Sequence, residues 1–174
     1  AMRFYYYLLI ILIVISSCKE DEEVPTFTKG YGSGLYIATS NGVSFYKDGL
    51  VKNQIFKKVN GITLDGVEKI KFNASKAYIA SKNTLYSSDV ETFENKAAAG
   101  GFKNIVDFDF VAMNRIFAVD KEDSKVKAVD MDHMEITNDI ETGNSTMPVF
   151  IVSKSYRSII MNGGAVADSL KDST

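Results

Sequence analysis

From residue 34 onward, apolar side chains come in short runs that alternate with polar ones, and Tyr, Phe, Val and Ile dominate them. Alternation with a period of two turns one face of a β-strand toward a core. No stretch keeps a helical period for three turns. Breaks fall at Asn41-Gly42, Asp48-Gly49, Asn60-Gly61, Asp65-Gly66, Gly100-Gly101 and Gly163-Gly164, pairs that accept positive φ or a tight reversal. Short strands at this spacing predict an antiparallel all-β fold.

The strand pattern repeats. Leu35-Tyr36-Ile37-Ala38-Thr39 aligns with Ala77-Tyr78-Ile79-Ala80-Ser81, then Ile116-Phe117-Ala118-Val119-Asp120, then Ser158-Ile159-Ile160-Met161-Asn162. Counted at the second residue of each run, the steps are 42 (36 to 78), 39 (78 to 117) and 42 (117 to 159). The first three runs lead into a turn and a second strand, at Val43-Ser44-Phe45-Tyr46, Thr84-Leu85-Tyr86-Ser87 and Val126-Lys127-Ala128-Val129-Asp130. The last three are preceded by another apolar strand: Ile70-Lys71-Phe72, Val106-Asp107-Phe108-Asp109-Phe110 and Val149-Phe150-Ile151-Val152. A period near 40 residues with four strands per unit marks the blade of a β-propeller, whose faces must be covered by neighbouring blades. Residues 34–174 hold about three and a half such blades, fewer than the four to eight that usually close a ring. The expectation is therefore an incomplete propeller, a fragment whose ring-closing half is missing.

Ahead of the repeats, Arg3 is followed by an apolar run over residues 4–15 and then by Ser16, Ser17 and Cys18. One positive charge, about a dozen apolar residues and a small-residue cut site form a secretory signal over residues 1–17. The run is too short for a stable membrane span. Residues 18–33 carry Lys19-Glu20-Asp21-Glu22-Glu23, Pro25 and the glycines 30 and 32, a composition that reads as a solvated tether. Ile15-Ser16-Ser17-Cys18 resembles the lipobox of bacterial lipoproteins, an aliphatic residue, two small residues and a cysteine. That resemblance implies that Cys18 is acylated and becomes a lipid-anchored mature N-terminus; an incidental or core cysteine is the alternative. Acylation would consume a lone thiol that has no partner in an oxidising compartment. The acidic cluster behind Cys18 is similar to the export signal of Bacteroidota surface lipoproteins, which implies an outer-membrane, cell-surface location.

A second resemblance lies in the third repeat. Val126-Lys127-Ala128-Val129-Asp130, Glu135, Ile140, Thr142-Gly143, Pro148 and the strands that follow resemble the unit of YncE-type propellers and the related DUF5074 surface lipoproteins of Bacteroidota. The first two repeats lack the matching Gly and Pro. Asp130 is placed to cap the next turn, Gly143 to supply a bend, and Pro148 to enter a strand without owing a ladder hydrogen bond. The resemblance implies a non-enzymatic binding protein that takes up a small ligand or glycan or works with an outer-membrane transporter. Two alternatives remain: a propeller enzyme of lyase, hydrolase or quinoprotein type with its site partly in the missing half, and a sensor or interaction scaffold.

Composition narrows the chemistry. Twenty Lys and Arg against 22 Asp and Glu leave a net charge of -2, so no electrostatic footprint for nucleic acid exists. One His, one Cys and no Trp exclude an internal disulfide and any site needing two imidazoles. No P-loop or dinucleotide fingerprint occurs, and neither a cofactor nor a metal is expected. No nucleophile elbow accompanies His133, which is expected at a solvated hairpin tip. Asp107 and Asp109 alternate with apolar neighbours, so both carboxylates share one face of a strand. If that strand is the innermost of its blade, the pair borders the channel and can bind a ligand, or it pairs with Lys69, Lys71 or Lys103. The polar segment 162–173, with Asn162 and Asp168, is the other candidate contact region. Tyr31 and Tyr156 are candidate stacking platforms for a sugar.

Overall fold

The computed structural model describes residues 31–164. Thirteen strands and one short helix follow in the order β1 (Leu35–Thr39), β2 (Gly42–Lys47), β3 (Leu50–Lys52), α1 (Ile55–Asn60), β4 (Val67–Asn73), β5 (Lys76–Ser81), β6 (Thr84–Asp89), β7 (Asn95–Ala99), β8 (Ile105–Ala112), β9 (Arg115–Asp120), β10 (Lys125–Asp130), β11 (Glu135–Glu141), β12 (Pro148–Lys154) and β13 (Arg157–Asn162). They form four antiparallel sheets: β1-β2-β3, β4-β5-β6-β7, β8-β9-β10-β11 and β12-β13. The sheets are successive blades, and β4, β8 and β12 are edge strands that contact one another from blade to blade along the inner side of the arc. The described residues form a β-propeller arc of about three and a half blades.

The register reproduces the sequence period. Ala38 faces Val43, Ala80 faces Leu85 and Val119 faces Val126, the same repeat position in three blades. Each inner strand also breaks register at its second residue: between Val67 and Lys69, between Ile105 and Asp107, and between Pro148 and Phe150. A bulge there leaves one residue unpaired and strengthens the local twist.

Because successive side chains of a strand point to opposite faces, each inner blade feeds two cores. Between the first and second blades lie Val43, Phe45, Ile55, Phe56, Ile79 and Phe93. Tyr78, Leu85, Phe108, Ile116 and Val129 join the second to the third. Val119, Val126 and Ile151 join the third to the fourth. Each fully covered Phe or Ile contributes roughly 1.5–3 kcal/mol of transfer free energy. The aromatic residues Tyr36, Tyr86 and Phe117 sit at the edges of these cores.

Helix α1 was not legible in the hydrophobic pattern, because six residues are too few to display a helical period. Packing holds it: Ile55 and Phe56 are buried, Gln54 at the N-cap makes no side-chain cap bond, and Gly61 ends it at φ 70°. Asn60-Gly61 is thus a helix stop, not a strand reversal. The Asn60 amide nitrogen donates to the carbonyls of Phe56 and Phe93, each at 3.0 Å, and its oxygen accepts the Asn95 N–H at 2.8 Å, tying the helix to the second blade.

Tyr31 and Gly32 fall within the expected tether of residues 18–33 yet are packed against the first two blades. Tyr31 stands edge-on to Phe45 and Phe93, with ring centroids 5.4 and 5.5 Å away. Its backbone N–H donates to the Glu91 carbonyl and that of Gly32 to Val90. Gly34 makes a close approach, since a Cβ there would lie 2.4 Å from the Phe45 ring.

Candidate functional site: the inner strands

Asp107 and Asp109 do lie on an inner strand, with side chains on the face of β8 that meets β12. The Asp107 side chain is 2% exposed, and its Oδ1 stands 3.1 Å from Lys69 Nζ. The same oxygen accepts the Phe108 N–H at 2.9 Å, while Oδ2 accepts the Ile151 N–H at 3.0 Å. Two residues on, Asp109 repeats the arrangement: Oδ1 is 2.8 Å from Lys71 Nζ, and Oδ2 accepts the Ser153 N–H. Lys71 also stands 5.7 Å from the Phe108 ring centroid.

The result is a ladder across three blades. Lysines of β4 meet carboxylates of β8, and the carboxylates take the free-edge N–H groups of β12. β8 and β12 belong to separate sheets and do not pair backbone to backbone, so side chains supply the partners that buried amides require. Charge-assisted hydrogen bonds of this kind compensate the desolvation of the carboxylates. Of the three lysines considered for these acids, Lys69 and Lys71 are the partners; Lys103 instead lies 2.6 Å from Asp123.

A second ionic group sits in the third blade, where the run Asp120-Lys121-Glu122-Asp123 has the composition of a solvated turn. Asp120 is fully buried. Its oxygens accept the backbone N–H groups of Lys103 (2.8 Å) and Asn104 (2.9 Å), fixing the segment that enters β8. Lys127, also buried, reaches Asp120 at 3.2 Å, Asp123 at 2.9 Å and the Gly101 carbonyl at 2.8 Å. Hydrogen bonds from Lys103 and Lys127 hold the Asp123 carboxyl down to about 2. Burial works to lower the Lys127 ammonium, but the bonds from Asp123 and Asp120 outweigh it and the group is raised. The signal in the sequence was the alternation Lys125-Val126-Lys127-Ala128, which puts a lysine on an inward position of a strand.

The remaining candidates divide. Asn162 is exposed at the end of β13, where the N–H groups of Gly163 and Gly164 donate to the Met147 and Thr146 carbonyls at 2.9 and 3.0 Å. Cys18 and Asp168 lie outside the described residues. His133 is 74% exposed, with Nδ1 3.0 Å from Asp130 Oδ1. Asp130 caps its turn through the N–H groups of Asp132 and His133, both at 2.9 Å, as expected. Asp89 does the same in the second blade for Glu91 and Thr92. In both blades the backbone bonds, led by those from His133 and Thr92, hold the carboxyl below the usual range. Tyr31 is no free platform, being engaged by Phe45, Phe93 and the Lys52 ammonium, and burial raises its phenol. Tyr36 behind it is pushed up to about 12, by burial first and by Tyr31 second. Tyr156 is 78% exposed at the β12–β13 turn, in a left-handed conformation at φ 62°. Among the described residues no three His, Cys, Asp or Glu side chains form a metal-holding group, and no helix is long and apolar enough to cross a membrane.

No protein-family model matches the chain, and no curated protein matches it. Solved structures do. The computationally designed Ika4 protein superposes with a TM-score of 0.57 at 13% identity, covering 74% of this chain and 78% of that one. The computationally designed Ika8 protein follows at 0.53 and 13%, covering 76% of this chain and 40% of that one. The WD40 β-propeller domain of Doa1 aligns at 0.49 and 16% identity over 67% of this chain, a likeness too weak to count. The chain spans about two fifths of the length of the latter two. At such identities the likeness is one of fold alone.

Proposed function

We propose that this chain is a lipid-anchored propeller of the YncE-type or DUF5074 kind, held at the outer-membrane surface through Cys18. On this reading it captures a small ligand, a glycan or an outer-membrane transporter and carries out no turnover. The observation that favours binding over catalysis is the state of the inner-strand acids. Both oxygens of Asp107 and of Asp109 already have donors, so the pair braces the wall of the arc instead of standing ready as acid and base. Capture then falls to the rim, where Asn162 opens the polar segment that contains Asp168.

Expression of the full chain with a labelled fatty acid tests the anchor. Label and membrane association are expected in the native chain and absent in Cys18→Ser. Protease treatment of intact cells tests display: cleavage of the propeller without lysis is expected, and its protection would refute surface exposure. Glycan-array binding by the native chain, reduced at least tenfold by Asn162→Ala with Asp168→Ala, tests the rim.

A further inference from the structure

The inner hairpins of the second, third and fourth blades end in equivalent two-residue tips: Ala74-Ser75 between β4 and β5, Met113-Asn114 between β8 and β9, and Ser155-Tyr156 between β12 and β13. They lie on one rim of the arc, and all six residues are exposed. The second and third blades have neighbours on both faces, so this exposure belongs to the rim and not to the ends of the described chain. Four of the six are small or polar, as suits a solvated turn. Met113 and Tyr156 are not, and at 92% and 78% they are the most exposed large apolar side chains among the described residues.

These two exceptions line the same cleft. It has a volume of about 230 Å³ and opens on the rim between the third and fourth blades, bounded by Phe110, Val111, Ala112 and Met113 on one hairpin and by Ser155 and Tyr156 on the other. The backbone under Tyr156 is left-handed, φ 62° after 52° at Ser155, where Gly or Asn is the low-cost choice. A bulky ring kept largely in water at such a position gains no packing that would offset the strain, and strain of this kind marks functional positions.

The charge around the cleft has one sign. Residues 110–115 and 153–158 contain Arg115, Lys154 and Arg157 and no acid. None of the three cations is in an ion pair among the described residues. Arg115 lies two positions before Phe117 on β9 and so shares the strand face turned toward the fourth blade. The acids adjoining it in the sheet are engaged: Asp109 with Lys71 and the Ser153 N–H, and Asp130, the register partner of Arg115, with the turn at Asp132 and His133.

We infer that this cleft is a glycan subsite that holds one acidic sugar unit, with the apolar face of the sugar ring on Tyr156 and Met113 and its carboxylate toward Arg115. The cleft is smaller than the roughly 300–1,000 Å³ of pockets that enclose a whole small molecule, so it fits one unit of a longer chain bound from solvent. An aromatic ring with one open face stacks on the C–H face of a sugar, and an unpaired guanidinium beside it favours a carboxylate. The inference rests on the capture reading above. It places capture on the rim opposite Asn162, since Arg157 and Asn162 are the two ends of β13.

Calorimetric titration of the full chain in mild detergent with polygalacturonate, and with dextran as the neutral glycan, tests it. Polygalacturonate is expected to bind, more weakly as salt is added, and dextran to bind about tenfold more weakly or worse. Tyr156→Gly should lower polygalacturonate affinity about tenfold while raising the urea midpoint, because it removes the stacking surface and the left-handed strain together. A purely structural role for the ring predicts a lower midpoint instead. Arg115→Gln should abolish the preference over dextran. No binding of polygalacturonate, equal binding of the two polymers, or undiminished binding by Tyr156→Gly overturns the inference. Binding lost in Asn162→Ala with Asp168→Ala but kept in Tyr156→Gly overturns it while the capture reading stands.

Discussion

Asp120 and Lys127 show how far a residue's role depends on what is folded around it. Both are buried, and each is the other's compensation. Asp120→Ala is expected to destabilise the chain by about 2–4 kcal/mol, because it leaves the Lys103 and Asn104 amides without their acceptor and removes one of the two carboxylates that compensate Lys127. Lys127→Met added to that variant should recover part of the loss, measured as the shift of the urea midpoint. Asp123 gives a pH signature. Its carboxyl, held at about 2 in the fold against 3.8 for the free group, binds a proton more weakly when folded. Its contribution is therefore complete above about pH 4 and lost as pH falls toward about 2. Urea midpoints should drop across that window in the native chain, with a shallower drop in Asp123→Asn. The shared face of Asp107 and Asp109 and their lysine partners could be read from alternation and proximity. Their bonds to Ile151 and Ser153 could not, because those amides belong to a strand 44 residues away.

At the scale of the element, strands were legible and the helix was not. A strand declares itself in as few as four alternating positions, and the turn residues between strands confirm it. Helix α1 exists because Ile55 and Phe56 have a core to enter and Asn60 has carbonyls to bond. Phe93 is the matching test. It is fully buried at φ 61°, at the end of the turn that Asp89 caps, and packs near Phe56 and Tyr36. Phe93→Ala should cost about 3–5 kcal/mol, whereas Asp89→Ala, a solvent-exposed cap, should cost far less. Thermal unfolding of the two variants separates these outcomes. Hairpins without glycine, such as the one that puts Ser155 and Tyr156 at positive φ, carry no compositional flag, and only the register of the flanking strands reveals them.

For the whole molecule, stability should follow blade position. Strands β5 and β9 are covered on both faces, whereas β13 and β3 each leave an apolar face open. In an arc built from nearest-neighbour contacts, the interior exchanges slowest. Hydrogen exchange should therefore protect β5 and β9 most. Faster exchange at β5 or β9 than at β1 or β13 would count against that nearest-neighbour picture.

The amino-acid order alone determined the strand positions, the repeat of about forty residues and hence the blade. All three follow from local alternation and from turn residues whose φ preferences are intrinsic. It also carries at residues 15–18 the pattern of residue types on which the proposed lipid anchor rests. Tertiary structure decided which acids are braces and which are turn caps, where α1 forms, and which apolar faces stay open. Those outcomes depend on groups brought together from distant blades, whose meeting is a property of the packed arc and not of any single segment.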